Sequence, residues 1–328
     1  MKKSACDTIK RAALLLLTGA LMASFVTCSP VSAGTVAQAP SEASTDRILR
    51  ILLVGCDRAA SLADSIMLVT VNETAKKTSI LQIPRDTYAN YTSRSYKKLN
   101  GALTALGMDG FRGLLEEILG ITIDAHVMLK PDALVGIVDA IGGVTVEIPR
   151  EMRYSDPAQN LEISLPKGEK TLTGREAEQF VRYRSGYANA DLGRLDAQKL
   201  FLRSLAVACQ NLTPMQMLRV AMSAMTTVQT DLGIHEIIRL AGVLRACDVD
   251  DVAMQTLTGL AVRGDSGAWY YAVNRAAAER EARELLETDA SAAFDPQYRL
   301  DRPENKRFHA VYTADERDLP RMADEWNR

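Results

Sequence analysis

Residues 51–86 read ILLVGCDRAASLADSIMLVTVNETAKKTSILQIPRD. Its first segment, Ile51–Gly55, is a short apolar run of the kind that forms a buried strand. Ile66–Val71 and Thr78–Ile83 are two more such runs, and the polar Asn72–Lys77 between them reads as the turn of a hairpin. Charges stand at the strand ends: Asp57 after the first strand, Asp64 just before the second, Arg85 and Asp86 after the third. Strand ends are where α/β sheets carry their site residues. A solvated loop explains any one of these charges taken alone.

Downstream, Leu99–Leu119 has helical apolar spacing, interrupted near Gly107–Gly110. Ala125–Leu129 reads as a strand. Pro131 suits the first position of a helix that ends at Gly142-Gly143. Val144–Ile148 alternates like a strand. Thr173, with Glu176 three residues later, forms a capping box for a helix running to Tyr183. Leu195–Leu212, Met215–Val228, His235–Ala246 and Tyr270–Leu286 are further helical runs. Interleaved strands and helices imply an α/β or α+β core, with helices around a sheet.

The other end of the chain is an address. Lys2, Lys3, Lys10 and Arg11 precede a stretch with no charge until Glu42, most apolar over Ala13–Val26. That is short of the roughly 20 apolar residues of a full span, but basic residues before it place the N-terminus inside and the body outside. The reading is an uncleaved signal anchor. Cleavage after Val31-Ser32-Ala33 and lipidation at Cys28 are the alternatives. The chain then divides into a basic tip and membrane helix (1–29), a Pro-, Ser- and Ala-rich linker (30–47), a folded domain (48–286) and a polar tail (287–328).

Composition narrows the function. Of the 328 residues, 47% are hydrophobic, enough for a sizeable core, and 39 basic against 41 acidic residues leave a net charge of -2. A general nucleic-acid binder shows a basic excess, so no nucleic-acid partner is expected. Three histidines argue against a histidine-rich metal site. Five cysteines with no CxxC spacing support neither a zinc knuckle nor a disulfide framework. There is no GxGxxG or Walker loop, and no GxSxG. His126 reads as structural, and Met215, Met217, Met222 and Met225 as core at helical spacing.

What remains is a set of arginines and carboxylates. Arg182 and Arg184 flank Tyr183 at a helix end, and Asp191 and Arg194 follow in a glycine-containing loop. One arginine there is accounted for by the helix dipole. Four that converge (Arg85, Arg182, Arg184, Arg194) suit an anion, because guanidinium forks match phosphate oxygens and stay charged. Two carboxylates on a separate loop suit a hard divalent cation such as magnesium.

These stretches together resemble the LytR-CpsA-Psr family of cell-envelope phosphotransferases. The resemblance rests on Leu53–Asp57, Asp64–Asn72, Ile83–Asp86, Val138–Val144 and Val181–Arg184 followed by Asp191–Arg194, in that order. It covers roughly Ile51–Leu205 and extends more weakly to Leu286. It implies an α/β core with a central mixed sheet and a long apolar pocket for a lipid. The implied activity transfers a glycopolymer with one phosphate from a polyprenyl-pyrophosphate carrier to a peptidoglycan hydroxyl at the outer face of the cell membrane. By position, Asp57 and Asp64 resemble the family's metal-linked aspartates, with magnesium or manganese as cofactor. Arg85, Arg182, Arg184 and Arg194 resemble the pyrophosphate arginines, Asp191 the carboxylate near the last of them, and Gln198 the glutamine that follows. Asp86 and Asp191 are the two candidates for accepting the acceptor's proton. Leu62, Ala197 and Lys130 stand where family members often carry arginine, arginine and a carboxylate or amide. Two other readings use the same clamp: a polyprenyl-pyrophosphate hydrolase, and a non-enzymatic membrane-anchored envelope regulator or polymer-binding module.

Overall fold

The computed structural model describes residues 47–287 apart from 60, 90, 92–97, 158–160, 186, 188–190, 211, 264–268 and 274. The expected membrane helix, nearly all of the linker and the tail from 288 lie outside the described residues. Among the described residues no helix is long and apolar enough to cross a membrane.

The quoted stretch forms the centre of a six-stranded sheet. β1 (Ile48–Cys56), β2 (Ala63–Asn72) and β3 (Lys77–Ile83) make an antiparallel meander, with the turn at 73–76 where it was expected. β4 (Ala125–Leu129) joins β1 in parallel, β9 (Val228–Thr230) adds to β4 in antiparallel, and β10 (Ala253–Thr256) runs parallel to β3. The order β10-β3-β2-β1-β4-β9 is therefore a mixed sheet.

Alternation along the strands gives the sheet two unlike faces. On one, Leu52, Val54, Ile66, Leu68, Leu81 and Ile83 are at most 1% exposed. They are sealed by α1 (Leu99–Leu119), which contributes Phe111, Leu115 and Ile118, and by Leu285 and Leu286 of α7 (Arg275–Leu286). α1 breaks at Gly107, whose φ of 71 lies in the left-handed region that glycine enters without a Cβ clash. The opposite face packs at one end under α6 (Ile234–Ala246), through Ile237 and Leu240 against Ile51, Val71 and Ala125. Further along that face, the central-strand residues Leu53, Val127 and Leu129 stay half-buried.

A second core lies beside the sheet. α2 (Pro131–Ile141) starts at Pro131 and ends at Gly142, whose φ of 98 makes it a left-handed cap. β5 (Val144–Ile148) pairs with β8 (Gly168–Leu172), and β6 (Met152–Asp156) with β7 (Leu161–Leu165). These strands enclose Val146, Ile148, Ile163 and Leu165 with Phe180 of α3 (Gly174–Arg182) and Phe201 of α4 (Asp191–Gln210). The capping box of α3 forms as read, with Thr173 and Glu176 exchanging bonds.

Two expectations are corrected. Tyr270–Leu286 is not one helix: Trp269–Val273 is strand β12, paired with β11 (Gly259–Arg263), and only α7 is helical. The aromatic run Trp269-Tyr270-Tyr271 favours a pleated, half-covered surface over a helix. On α5 (Pro214–Thr227), Met217 is buried as expected, but Met215 and Met222 are each 59% exposed and so are not core.

Candidate functional site

The β1–β2 connection is built around one aspartate. Asp57 Oδ1 accepts the amides of Ser61 (2.6 Å) and Leu62 (3.1 Å), and Oδ2 accepts the Ser61 hydroxyl (2.7 Å). The Asp57 amide donates back to the Leu62 carbonyl at 3.1 Å, closing the loop. Burial pushes the Asp57 carboxyl up, but these donors outweigh it and hold the group below the ordinary aspartate value.

This loop returns to Asp64, whose carboxylate pairs with Arg85 from the end of β3. Arg194, 4% exposed on α4, donates from Nη1 to the Asp64 backbone carbonyl at 2.9 Å. Gln198, one helical turn on, accepts from the Ser65 hydroxyl (3.2 Å) and donates to the Val181 carbonyl (3.3 Å). One face of α4 thus fastens the start of β2 to the end of α3. Of the expected site residues, Arg85, Arg194 and Gln198 are brought to a common place around Asp64 and Ser65.

Arg182 is held in a different way. Its Nη1 donates to Glu178 at 2.8 Å, one turn earlier on α3. Glu178 also takes Nη2 of Arg58 through both oxygens (2.8 and 3.0 Å), and Arg58 pairs further with Asp132 at the start of α2. Burial works to weaken the Arg58 charge, but Glu178 and Asp132 reverse this and raise its pKa. Arg184 lies exposed just beyond the α3 end. Asp191 and Arg194 are not in a loop as expected but in the first turn of α4, and the Asp191 side chain is outside what the structure describes. Asp86 pairs with Lys98 (3.0 Å), whose ammonium lies over the Tyr270 ring. The Asp86 backbone carbonyl also accepts the Tyr271 amide.

Sequence reasoning missed Arg58 and Glu178. Arg58 directly follows Asp57, and Glu178 stands four residues before Arg182, the spacing at which helical side chains meet. Both signals were present in the sequence.

Asp57 and Asp64 are the two carboxylates expected to meet a hard cation. They stand at the two ends of one loop, where β1 and β2 still pair through Cys56 and Ala63. The donors that lower its pKa keep Asp57 ionised, and its Oδ2 accepts the Ser61 hydroxyl. Two carboxylates are the protein share that magnesium takes when phosphate oxygens and water supply the rest.

Fold and site together define a mixed α/β domain with arginines and carboxylates gathered at the ends of adjacent strands, beside a half-open apolar sheet face. The chain belongs to the LytR_cpsA_psr family, which matches it over residues 26–287. TagU of Oceanobacillus iheyensis, a polyisoprenyl-teichoic acid–peptidoglycan teichoic acid transferase, is 28% identical over 250 residues, covering 69% of this chain and 71% of TagU. TagV of Bacillus subtilis, which bears the same transferase name, is 28% identical over 231 residues, covering 69% of this chain and 59% of TagV. The crystal structure of B. subtilis TagV superposes with a TM-score of 0.64 at 25% identity, over 74% of this chain and 97% of that one. TagT bound to LIIa-WTA superposes with a TM-score of 0.60 at 26% identity, over 76% of this chain and 93% of that one.

Proposed function

We propose that this protein transfers a glycopolymer, with one phosphate, from a polyprenyl-pyrophosphate carrier to a cell-wall hydroxyl, with peptidoglycan as acceptor. The observation that carries the reading is the convergence of Arg85 and Arg194 on Asp64 at the strand ends, in a chain whose relatives are named as teichoic acid transferases.

Pyrophosphate exchange asks the protein for in-line positioning and charge neutralisation rather than covalent help. Arg85, Arg182, Arg184 and Arg194 hold the phosphate oxygens, in a setting where preset charges cost no reorganisation during the reaction. Gln198 fixes the α3 and α4 ends that carry three of them. The acceptor oxygen attacks the sugar-linked phosphorus, the bridging P–O bond breaks, and polyprenyl monophosphate leaves. The acceptor's proton goes to a carboxylate, and Asp191 or Asp86 takes that role; the bond from Lys98 to Asp86 favours Asp191. Asp57 and Asp64 would hold magnesium or manganese, which when bound supplies Lewis-acid neutralisation of pyrophosphate charge.

The lipid is read onto the less sealed sheet face. Leu53, in the central strand β1, remains half-buried while Leu52 and Val54 on the other face are closed off, and Val127 and Leu129 of β4 are half-buried on the same face as Leu53. Each CH2 moved from water contributes about 0.8 kcal/mol, so a few isoprene units outweigh a surface ion pair. Such a donor sits in a bilayer, so the basic and apolar N-terminal segment is read as a single-pass anchor holding the domain outside the cytoplasm.

The test is steady-state transfer of labelled polymer from its polyprenyl-pyrophosphate donor by the wild type and by Arg85→Ala and Asp64→Asn. Both variants lower kcat by about a hundredfold or more and weaken donor binding less. Undiminished transfer by Arg85→Ala contradicts the assignment.

A further inference from the structure

We propose that Glu178 is the positioning residue of the arginine clamp: one sealed carboxylate that sets Arg58 and Arg182 in fixed relation for the pyrophosphate. The inference rests on the transfer reading above and adds Arg58 to the groups that meet the donor.

The geometry is specific. Glu178 is 2% exposed, on the face of α3 that also buries Ala177 and Phe180. Its two oxygens accept Nη2 of Arg58 at 2.8 and 3.0 Å, and Oε1 also accepts Nη1 of Arg182 at 2.8 Å. The side chains it holds are far more open, 45% exposed for Arg58 and 27% for Arg182. The carboxylate is therefore shut away from any substrate, while both arginine side chains reach solvent. Each guanidinium is a rigid fork of five N–H donors, and Glu178 engages one nitrogen of each, Nη2 of Arg58 and Nη1 of Arg182.

Two like charges brought this close repel unless an anion lies between them. Glu178 supplies that anion before substrate arrives. It also joins elements that are far apart in sequence: Arg58 comes from the β1–β2 loop next to Asp57, Arg182 from the last turn of α3. Asp132, at the start of α2, steadies Arg58 from its other side. A clamp assembled in advance loses less entropy when the donor binds, and it holds the phosphorus in line for attack.

Removing one partner of an ion pair is costly for folding when the charge left behind is buried, but Arg58 and Arg182 are partly exposed and water can take over from Glu178. That separates positioning from structure. The full chain is assayed for polymer transfer as wild type, Glu178→Gln, Glu178→Leu, Arg58→Gln and the double variant Glu178→Gln/Arg58→Gln. Positioning predicts that kcat falls about tenfold or more in both Glu178 variants, with KM changed less than about threefold. It predicts that Glu178→Leu melts within a few degrees of wild type, and that the double variant is little worse than Arg58→Gln alone, because the two residues act as one unit. Unchanged kcat in Glu178→Gln, losses that multiply in the double variant, or activity that falls only with the fraction folded each overturn the role. A wild-type chain that transfers no polymer overturns the transfer reading itself, which is a different result from an active wild type with an equally active variant.

Discussion

Arg194 donates from Nη1 to the backbone carbonyl of Asp64, 130 residues earlier in the chain, at 2.9 Å. This bond fixes α4 against the start of β2, so the helix that carries Gln198 and the strand that carries Asp64 and Ser65 move as one piece. Arg194→Met keeps most of the stem and removes the donors. Losing a charged donor to a buried acceptor costs about 1–3 kcal/mol, read as a lower urea midpoint. Transfer turnover falls further than stability explains, and Arg194→Lys recovers only part of it, because a point charge replaces a fork.

α2 and α3 touch through a glycine. A Cβ at Gly174 would lie 2.2 Å from the Val135 carbonyl oxygen, and the Gly174 amide donates to Asp139 at 2.7 Å. Gly174→Ala forces two backbones apart at the start of the helix that holds Arg182. The expected loss is roughly 2–4 kcal/mol, measured by denaturant unfolding, with transfer activity reduced in parallel.

Glu281 gives the fold a pH signature away from the site. It is buried on α7 and accepts the amide and hydroxyl of Thr258. Burial raises its carboxyl above the ordinary glutamate value despite those donors. The folded state then binds this proton more readily than the unfolded chain does. The contribution is fully present below the unfolded value of about 4.3 and is lost as pH rises through the folded value. Urea midpoints of wild type and Glu281→Gln should therefore differ by pH: the wild type gains on the variant between neutral pH and about pH 4.5. A difference that is constant with pH contradicts the assignment.

The half-buried apolar face predicts a lipid-length effect. Leu53 pairs with Val127 on one side and Met67 on the other, in one row across the sheet. Leu53→Asn puts an amide into that row. KM rises severalfold for a long polyprenyl donor and stays near wild type for a donor with two isoprene units, because the short chain gains little from the face. Equal effects on both donors contradict the lipid assignment.

The central meander was legible because the strands of residues 51–83 are strongly apolar and are punctuated by charge and a polar turn. The α2 boundaries were legible because Pro131 and Gly142-Gly143 have few other uses. Residues 152–172 were not. Their strands carry one buried residue for each one to three exposed ones, as in Met152–Asp156, where only Met152 is sealed, so neither period stands out. β9 and β10 are three and four residues long and exist only through pairing with distant strands. The strand Trp269–Val273 was lost inside an apparent helix because its pairing with Gly259–Arg263 and its bonds to Asp86 and Tyr88 decide it. At the site, single residues were legible from order and spacing: Arg85 and Arg194 meet at Asp64 and Gln198 meets Ser65 beside it, while Asp57 bonds Ser61 and Leu62 within its own loop. Their linkage was not, because Glu178 serves two arginines from different elements, and that depends on how α3 lies against the β1–β2 loop.

The most direct test of the account is the product analysis of a single reaction. The full chain is incubated with a polyprenyl-pyrophosphate-linked glycopolymer and peptidoglycan oligosaccharide, and the products are resolved by mass spectrometry. The account predicts equal amounts of polyprenyl monophosphate and of oligosaccharide joined to polymer through one phosphodiester. Polymer phosphate released without attachment would mark a hydrolase, and a donor bound but unchanged would mark a binding module; either result contradicts transfer.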